Sequence, residues 1–277
     1  MLHGNLKRPP AAHPTYTRTI ELIRWMEGLV ERSGAPGAPA PLQRAWNVEQ
    51  WRDSAPAPSD SSQGSRERFN RVVNCVLALT ALIVLLPLLL IIAAAVKLTS
   101  RGPVLYTQER VGLDRRVPGR QVHNHRRSQN VGGRPFTIYK FRTMRVDAER
   151  QSGAVWASRD DPRVTPVGRV LRQYRLDELP QFINVLRGEM NIVGPRPERP
   201  TIFAELREHI AEYPLRQRAK PGITGLAQIN HHYDRSIEDV RTKVNFDLEY
   251  IRRQSVIEDL RIMLKTVPTI LFRRGGW

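Results

Sequence analysis

Residues Val72–Val96, VVNCVLALTALIVLLPLLLIIAAAV, decide how this chain is built. Only Asn74 and Thr80 in the run are clearly polar, and no charge interrupts it. About 20 apolar residues cross a bilayer as a helix. A core helix so long and so uniformly apolar does not suit a chain of 277 residues. The run also starts far from Met1, unlike a signal peptide. With its flanks, residues 66–98, it reads as a membrane-inserted segment.

Pro87 stands in the middle of the run, where it removes a backbone hydrogen bond and kinks a helix. Arg66, Arg68 and Arg71 precede the run, and Lys97 and Arg101 follow it. Positive residues stay on the cytoplasmic side. Symmetric basic flanks therefore fit a helix that enters, bends at Pro87 and returns to the same face. Pro87 is equally compatible with a kinked true span.

Upstream, residues 1–65 are rich in Pro, Ala, Arg and Ser and read as a flexible extension, with one helical spacing over Thr19–Arg32. Downstream, residues 99–277 form the remaining domain. Val104–Tyr106 and Phe136–Phe141 have the β-branched and aromatic content of short strands. Between them Arg115–Arg134 reads as an exposed basic loop, and its His123 and His125 suit a solvated loop better than a metal site. Helical patterns cover Thr165–Tyr174, Leu176–Leu186, Pro200–Glu212, Ser236–Arg253 and Val256–Phe272. The last is amphipathic, through Ile257, Leu260, Met263, Leu264, Val267 and Leu271, so it suits either a membrane interface or the domain core.

The net charge of +17, from 44 Lys+Arg against 27 Asp+Glu, suits a polyanionic partner: nucleic acid, anionic lipid or a phosphorylated substrate. Cys75 is the single cysteine, which excludes a disulfide framework and a CxxC metal site.

Three clusters carry candidate chemistry. In Arg175-Leu-Asp-Glu-Leu-Pro-Gln181, Asp177 is a good N-cap and Pro180 is tolerated in a first helical turn. Capping alone would account for Asp177. Arg169, Arg172 and Arg175 just upstream add a second reading, phosphoryl chemistry. One carboxylate can attack phosphorus, and the other can hold Mg²⁺ together with substrate phosphate oxygens. The arginines bind those oxygens in bidentate fashion. In Gly188–Pro197 flanking prolines fix the backbone around Arg196, which favours anion binding over a surface ion pair. Tyr139–Met144 puts Lys140 and Arg142 on one face of a strand, either in solvent or lining a phosphate pocket.

Taken in order, VLYTQERVG (Val104–Gly112), YKFRTM (Tyr139–Met144), DPRVTPVG (Asp161–Gly168), LDELPQ (Leu176–Gln181), NVLRGEMNIVGPRP (Asn184–Pro197) and PGITGLAQ (Pro221–Gln228) resemble the bacterial sugar transferase family. These are small monotopic polyprenyl-phosphate phosphoglycosyl transferases. The resemblance runs from about Arg68 to the end. It implies transfer of a sugar 1-phosphate from a nucleotide diphosphate sugar to undecaprenyl phosphate, with release of the nucleoside monophosphate. Asp177 would be the nucleophile, Glu178 with Asp177 the Mg²⁺ site, and Lys140, Arg172 and Arg196 the phosphate-binding cations, to which the strand reading adds Arg142. Pro87 would break a re-entrant helix, although Leu86 replaces the serine common before that proline. The implied fold is α+β and mostly helical. It comprises the membrane helix, a compact cytosolic catalytic domain with few short strands and an interfacial C-terminal helix. The implied partners are the nucleotide sugar, undecaprenyl phosphate and the lipid bilayer of a bacterial inner membrane; a homodimer is compatible, and nucleic acid is not implied. A membrane-tethered module binding nucleic acid or anionic lipid is the competing class, but it leaves the dyad among arginines unexplained.

Overall fold

Leu85 is where the apolar run breaks. In the computed structural model, which describes residues 61–115, 132–148, 161–231 and 236–271, helix α1 covers Ser61–Val84 and α2 covers Leu86–Thr99, bent by 62°. The bend was expected at Pro87 inside one helix. Instead Pro87 sits in the first turn of α2, where a missing N–H leaves no intrahelical bond unmade. Hydrogen bonds still bridge the break, from Leu85 N to Ala81 O at 2.9 Å and from Leu89 N to Leu85 O at 2.8 Å. Neither helix alone is long and apolar enough to cross a membrane; the bent pair together is. The extension, the Thr19–Arg32 spacing and loop residues 116–131 lie outside the described residues.

One side of the bent pair is welded to the domain. Ala78 packs with Phe136, Ile138, Val185 and Met190, while Ile92 and Val96 pack with Phe141 and Leu171. Asn74, buried in the apolar run, donates to Asn70 O at 2.8 Å and accepts from Ile192 N at 2.7 Å. Its two polar functions are thereby satisfied where water is excluded. Arg71 donates to the carbonyls of Val185 and Leu186. The other side leaves Phe69, Val72, Val76, Ile83, Val84 and Ile91 exposed.

Strands β1 (Leu105–Val111) and β2 (Pro135–Phe141) pair antiparallel, with Tyr106 opposite Lys140. β1 runs past the expected Val104–Tyr106 because its ladder continues through the polar Gln108-Glu-Arg110. Helix α3 (Pro166–Gln173) opens with Thr165 accepting from Gly168 N at 3.0 Å. The expected helix Leu176–Leu186 divides into a 3-10 helix, Leu176–Gln181, and helix α4, Phe182–Arg187. β3 (Asn191–Val193) pairs parallel with β4 (Gly222–Thr224). Gly222 is required there, since a Cβ would come within 2.1 Å of Gly194 N.

Helix α5 (Pro200–His209), the 3-10 helix Tyr213–Arg218, the short α6 (Leu226–Asn230), α7 (Ile237–Arg253) and α8 (Val256–Leu271) complete the described chain. A capping box of Ser236 and Asp239 opens α7. Phe203, Ile210, Tyr213, Val240, Val244 and Leu248 form the core between α5 and α7. On α8, Ile262 packs in the domain core against Val193 and Tyr250, while Ile257, Leu260, Leu264 and Val267 are exposed.

Candidate active site

The Asp-Glu dyad lies on a turn the sequence does not announce. After α3 the chain passes through Arg175 in a left-handed conformation, φ 56°, which costs a non-glycine residue about 1–2 kcal/mol. That reversal opens the 3-10 helix and sets both carboxylates inward, Asp177 7% and Glu178 5% exposed. Asp177 is not the expected N-cap: Arg175 holds that position, and no side chain caps the helix. Capping therefore does not account for the burial of Asp177.

Three elements converge on Glu178. Lys140, from β2, reaches its Oε1 at 2.7 Å. Arg196, from the turn after β3, donates Nη2 to Oε1 at 2.6 Å and Nη1 to Oε2 at 3.3 Å. Arg175 Nη1 stands 3.7 Å from Oε1. Burial alone would raise the pKa of Glu178, but Arg196, Lys140 and Arg175 outweigh it and hold this carboxyl well below its ordinary value. Asp177 shifts the other way. Burial raises its pKa against the pull of Lys140, and the charge on Glu178 adds to the rise. Among the described residues no hydrogen bond or ion pair ends on Asp177. Lys140 is lowered by burial and lifted in part by Glu178.

Of the other expected site residues, Arg172 lies in the last turn of α3, close enough for its charge to lower the pKa of Asp177. Arg142 is elsewhere. It lies just past β2, buried, and donates to Arg101 O at 2.8 Å, Ser100 O at 2.8 Å and Ser100 Oγ at 2.7 Å. The two-residue strand period does not carry it into the cluster, because β2 ends at Phe141. Its donors close the C-terminal end of α2. Arg175, one of the three arginines that the sequence offers for phosphate oxygens, instead stands beside Glu178, and the sequence does not single out Arg110, Glu198, Arg216 and Asp247. Arg216 and Asp247 lie 31 residues apart and meet only through folding.

The donor set suits a cation that takes few protein ligands. Glu178 Oε2 meets only the long contact with Arg196, so it keeps lone pairs, and Asp177 is adjacent. No cluster of three or more His, Cys, Asp or Glu able to form a closed cage is found among the described residues. Mg²⁺, which retains waters and is held by one or two carboxylates plus phosphates, fits that description.

Comparison with known proteins places these motifs. The sequence profile described as bacterial sugar transferase matches residues 65–273, from α1 to beyond the end of α8. The chain belongs to that family. It is similar to the UDP-glucose:undecaprenyl-phosphate glucose-1-phosphate transferase of Escherichia coli (strain K12), 43% identical over 206 residues, 74% of this chain and 40% of the relative. It is also similar to the UDP-N-acetylgalactosamine-undecaprenyl-phosphate N-acetylgalactosaminephosphotransferase of Aeromonas hydrophila, 41% identical over 208 residues, 75% of this chain and 45% of the relative. The exopolysaccharide production protein ExoY of Sinorhizobium fredii is 38% identical over 221 residues, 75% of this chain and 87% of the relative. The chain thus spans less than half the length of the first two relatives and most of the third. Lys140, Arg172, the dyad and Arg196 all fall inside the matched residues.

Proposed function

We propose that this chain moves a sugar 1-phosphate from a UDP-sugar to undecaprenyl phosphate, as the initiating step of exopolysaccharide, capsule, O-antigen or glycoprotein glycan assembly. The observation that carries the reading is the split dyad. Of two adjacent buried carboxylates, Glu178 is paired through Oε1 with Lys140 and Arg196, while the Asp177 carboxylate has no hydrogen bond or ion pair among the described residues, and their pKa values shift in opposite directions. Such a split separates a positioning carboxylate from a reacting one. The names of the relatives support the substrate class.

In this mechanism Asp177 Oδ forms a bond to the β-phosphorus of the donor. The bond from that phosphorus to the bridging oxygen breaks, and UMP leaves with the electron pair. An oxygen of undecaprenyl phosphate then attacks the acyl phosphate. The Asp177 carboxylate departs, and undecaprenyl diphosphate sugar is formed. Lys140, Arg172, Arg175 and Arg196 surround the dyad with positive charge, which favours the ionised form of Asp177 against its burial and holds the diphosphate in line. Glu178 would hold Mg²⁺ together with diphosphate oxygens, and the ion would neutralise charge that otherwise repels the carboxylates.

The exposed apolar side of the α1–α2 pair and of α8 supports insertion into one leaflet of a bacterial cytoplasmic membrane, with the catalytic domain on the cytosolic side. There the soluble donor meets the acceptor's headgroup. The test is to incubate the full chain in detergent with a panel of UDP-sugars and undecaprenyl phosphate and to measure UMP. One donor should turn over, and Asp177→Asn should lose about 10³-fold or more of that rate. Full activity in Asp177→Asn would end the covalent mechanism, and silence with every UDP-sugar would end the reaction class.

A further inference from the structure

The carbonyls of four consecutive residues, Pro195 to Glu198, each receive a hydrogen bond from a different donor. Gly222 N donates to Pro195 O at 3.0 Å and Val111 N to Glu198 O at 2.9 Å. The other two donors are guanidinium groups: Arg216 Nη2 to Arg196 O at 3.1 Å and Arg110 Nη1 to Pro197 O at 2.9 Å. Two of these four residues are prolines, whose ring fixes φ and supplies no N–H, so the turn is held through its carbonyls. Arg196 alone among them sends its side chain to the dyad.

Arg216 differs from the other donors because its own orientation is fixed on every side. Nε donates to Asp247 Oδ2 at 2.6 Å, Nη1 donates to Tyr213 Oη at 2.8 Å, and the guanidinium lies 4.9 Å from the centre of the Tyr213 ring. Arg216, Asp247 and Tyr213 are 4%, 1% and 1% exposed. A buried ion pair is an inefficient way to stabilise a core, since apolar residues of similar volume do as well or better. What the pair supplies that a leucine does not is a rigid fork of donors with set directions. Here one tine ends on the main chain of Arg196.

We propose that Arg216, oriented by Asp247 and Tyr213, is a positioning residue that fixes the main chain of Arg196 and thereby aims the Arg196 guanidinium at Glu178 and the donor diphosphate. The inference rests on the proposed donor, but it is tested separately from turnover. Arg216→Lys keeps the charge beside Asp247 and lacks the fork that reaches both Asp247 and the Arg196 carbonyl.

The experiment is a double-mutant cycle on UDP affinity, measured by calorimetry on the full chain in detergent, with Arg216→Lys, Arg196→Ala and the combined variant. Arg216→Lys should weaken UDP binding about tenfold in the parent and change it by less than about twofold once Arg196 is Ala. An equal loss in both backgrounds would overturn the positioning role, because a general loss of fold does not depend on Arg196. If the parent does not bind UDP, or Arg196→Ala leaves its affinity intact, the reading of the donor site fails and the inference with it. Asp247→Asn, which keeps an acceptor for Arg216 but removes the charge, repeats the cycle should Arg216→Lys not fold. Failure of both variants to fold would assign the pair to the fold alone and overturn the proposal.

Discussion

Glu178 carries three cations and so controls more than its own ionisation. The largest influence on Lys140 is burial, which lowers its pKa, and Glu178 is the largest one holding it up. Neutralising Glu178 therefore lets Lys140 lose its proton at a lower pH. If Lys140 acts as a cation on the diphosphate, Glu178→Gln should move the alkaline limb of kcat/KM to lower pH as well as reducing the rate. An unmoved alkaline limb would detach Lys140 from the reaction. The same carboxyl contributes to stability with the opposite sign. Its folded pKa lies well below the ordinary value, so its stabilisation is present above the unfolded pKa, about 4.3, and is lost as pH falls below it. Glu178→Gln should consequently flatten the acid side of the stability profile that the parent shows in thermal unfolding.

At the scale of elements, the segment Lys140–Met144 joins chemistry to anchorage: Lys140, near the end of β2, reaches the dyad, and Arg142, just past β2, closes the end of α2. Arg142→Ala leaves the carbonyls of Ser100 and Arg101 without their donor. Removing such charged hydrogen bonds costs about 2 kcal/mol or more, which for a domain of this size lowers the melting temperature by about 4–8 °C. UDP affinity of the folded variant should stay within about twofold of the parent, since the side chain lies outside the cluster. A large loss of UDP affinity with unchanged melting would restore Arg142 to phosphate binding. This division was illegible in the sequence, because the two-residue period holds only while the strand lasts. The segment Leu176–Gln181 hid its geometry for a related reason. Asp and Pro at those spacings signal an ordinary helix start, whereas the chain turns through a left-handed Arg175 into a 3-10 helix that packs against β2. Where periodicity was strong, as over α7 and α8, sequence and structure agree closely.

On the scale of the whole molecule, the dyad, Lys140 and Arg196 were legible as motifs. The network behind Arg196 was not, since Arg110, Arg216 and Asp247 lie far apart in sequence, and the motif that holds Arg110 does not reveal its partners. The same distinction bears on what holds the bend at Leu85. A proline in the first turn of α2 permits the bend without enforcing it. The domain holds each arm from outside: Arg71 and Asn74 tie α1 to α4 and β3, and Arg142 ties the end of α2 to β2. Ala78 on one arm and Ile92 and Val96 on the other are buried in separate clusters of the same fold. Straightening the pair would pull at least one arm off its cluster and leave Asn74 or the α2 carbonyls unpaired in an apolar setting, each costing about 1–3 kcal/mol. Pro87→Ala would relieve a straight helix of about 3 kcal/mol of lost hydrogen bond and ring clash, less than the unpaired groups and the lost burial of Ala78 or of Ile92 and Val96 together. Pro87→Ala should therefore keep the bent arrangement. In a Cys75→Ala background, single cysteines replacing Gly64 before the bend and Glu238 after it should both label from the cytosolic side of inverted vesicles, with or without Pro87→Ala. Labelling of the two sites from opposite sides in the parent would rule out a re-entrant pair. Opposite sides only in Pro87→Ala would make the proline, rather than the domain, what holds the bend.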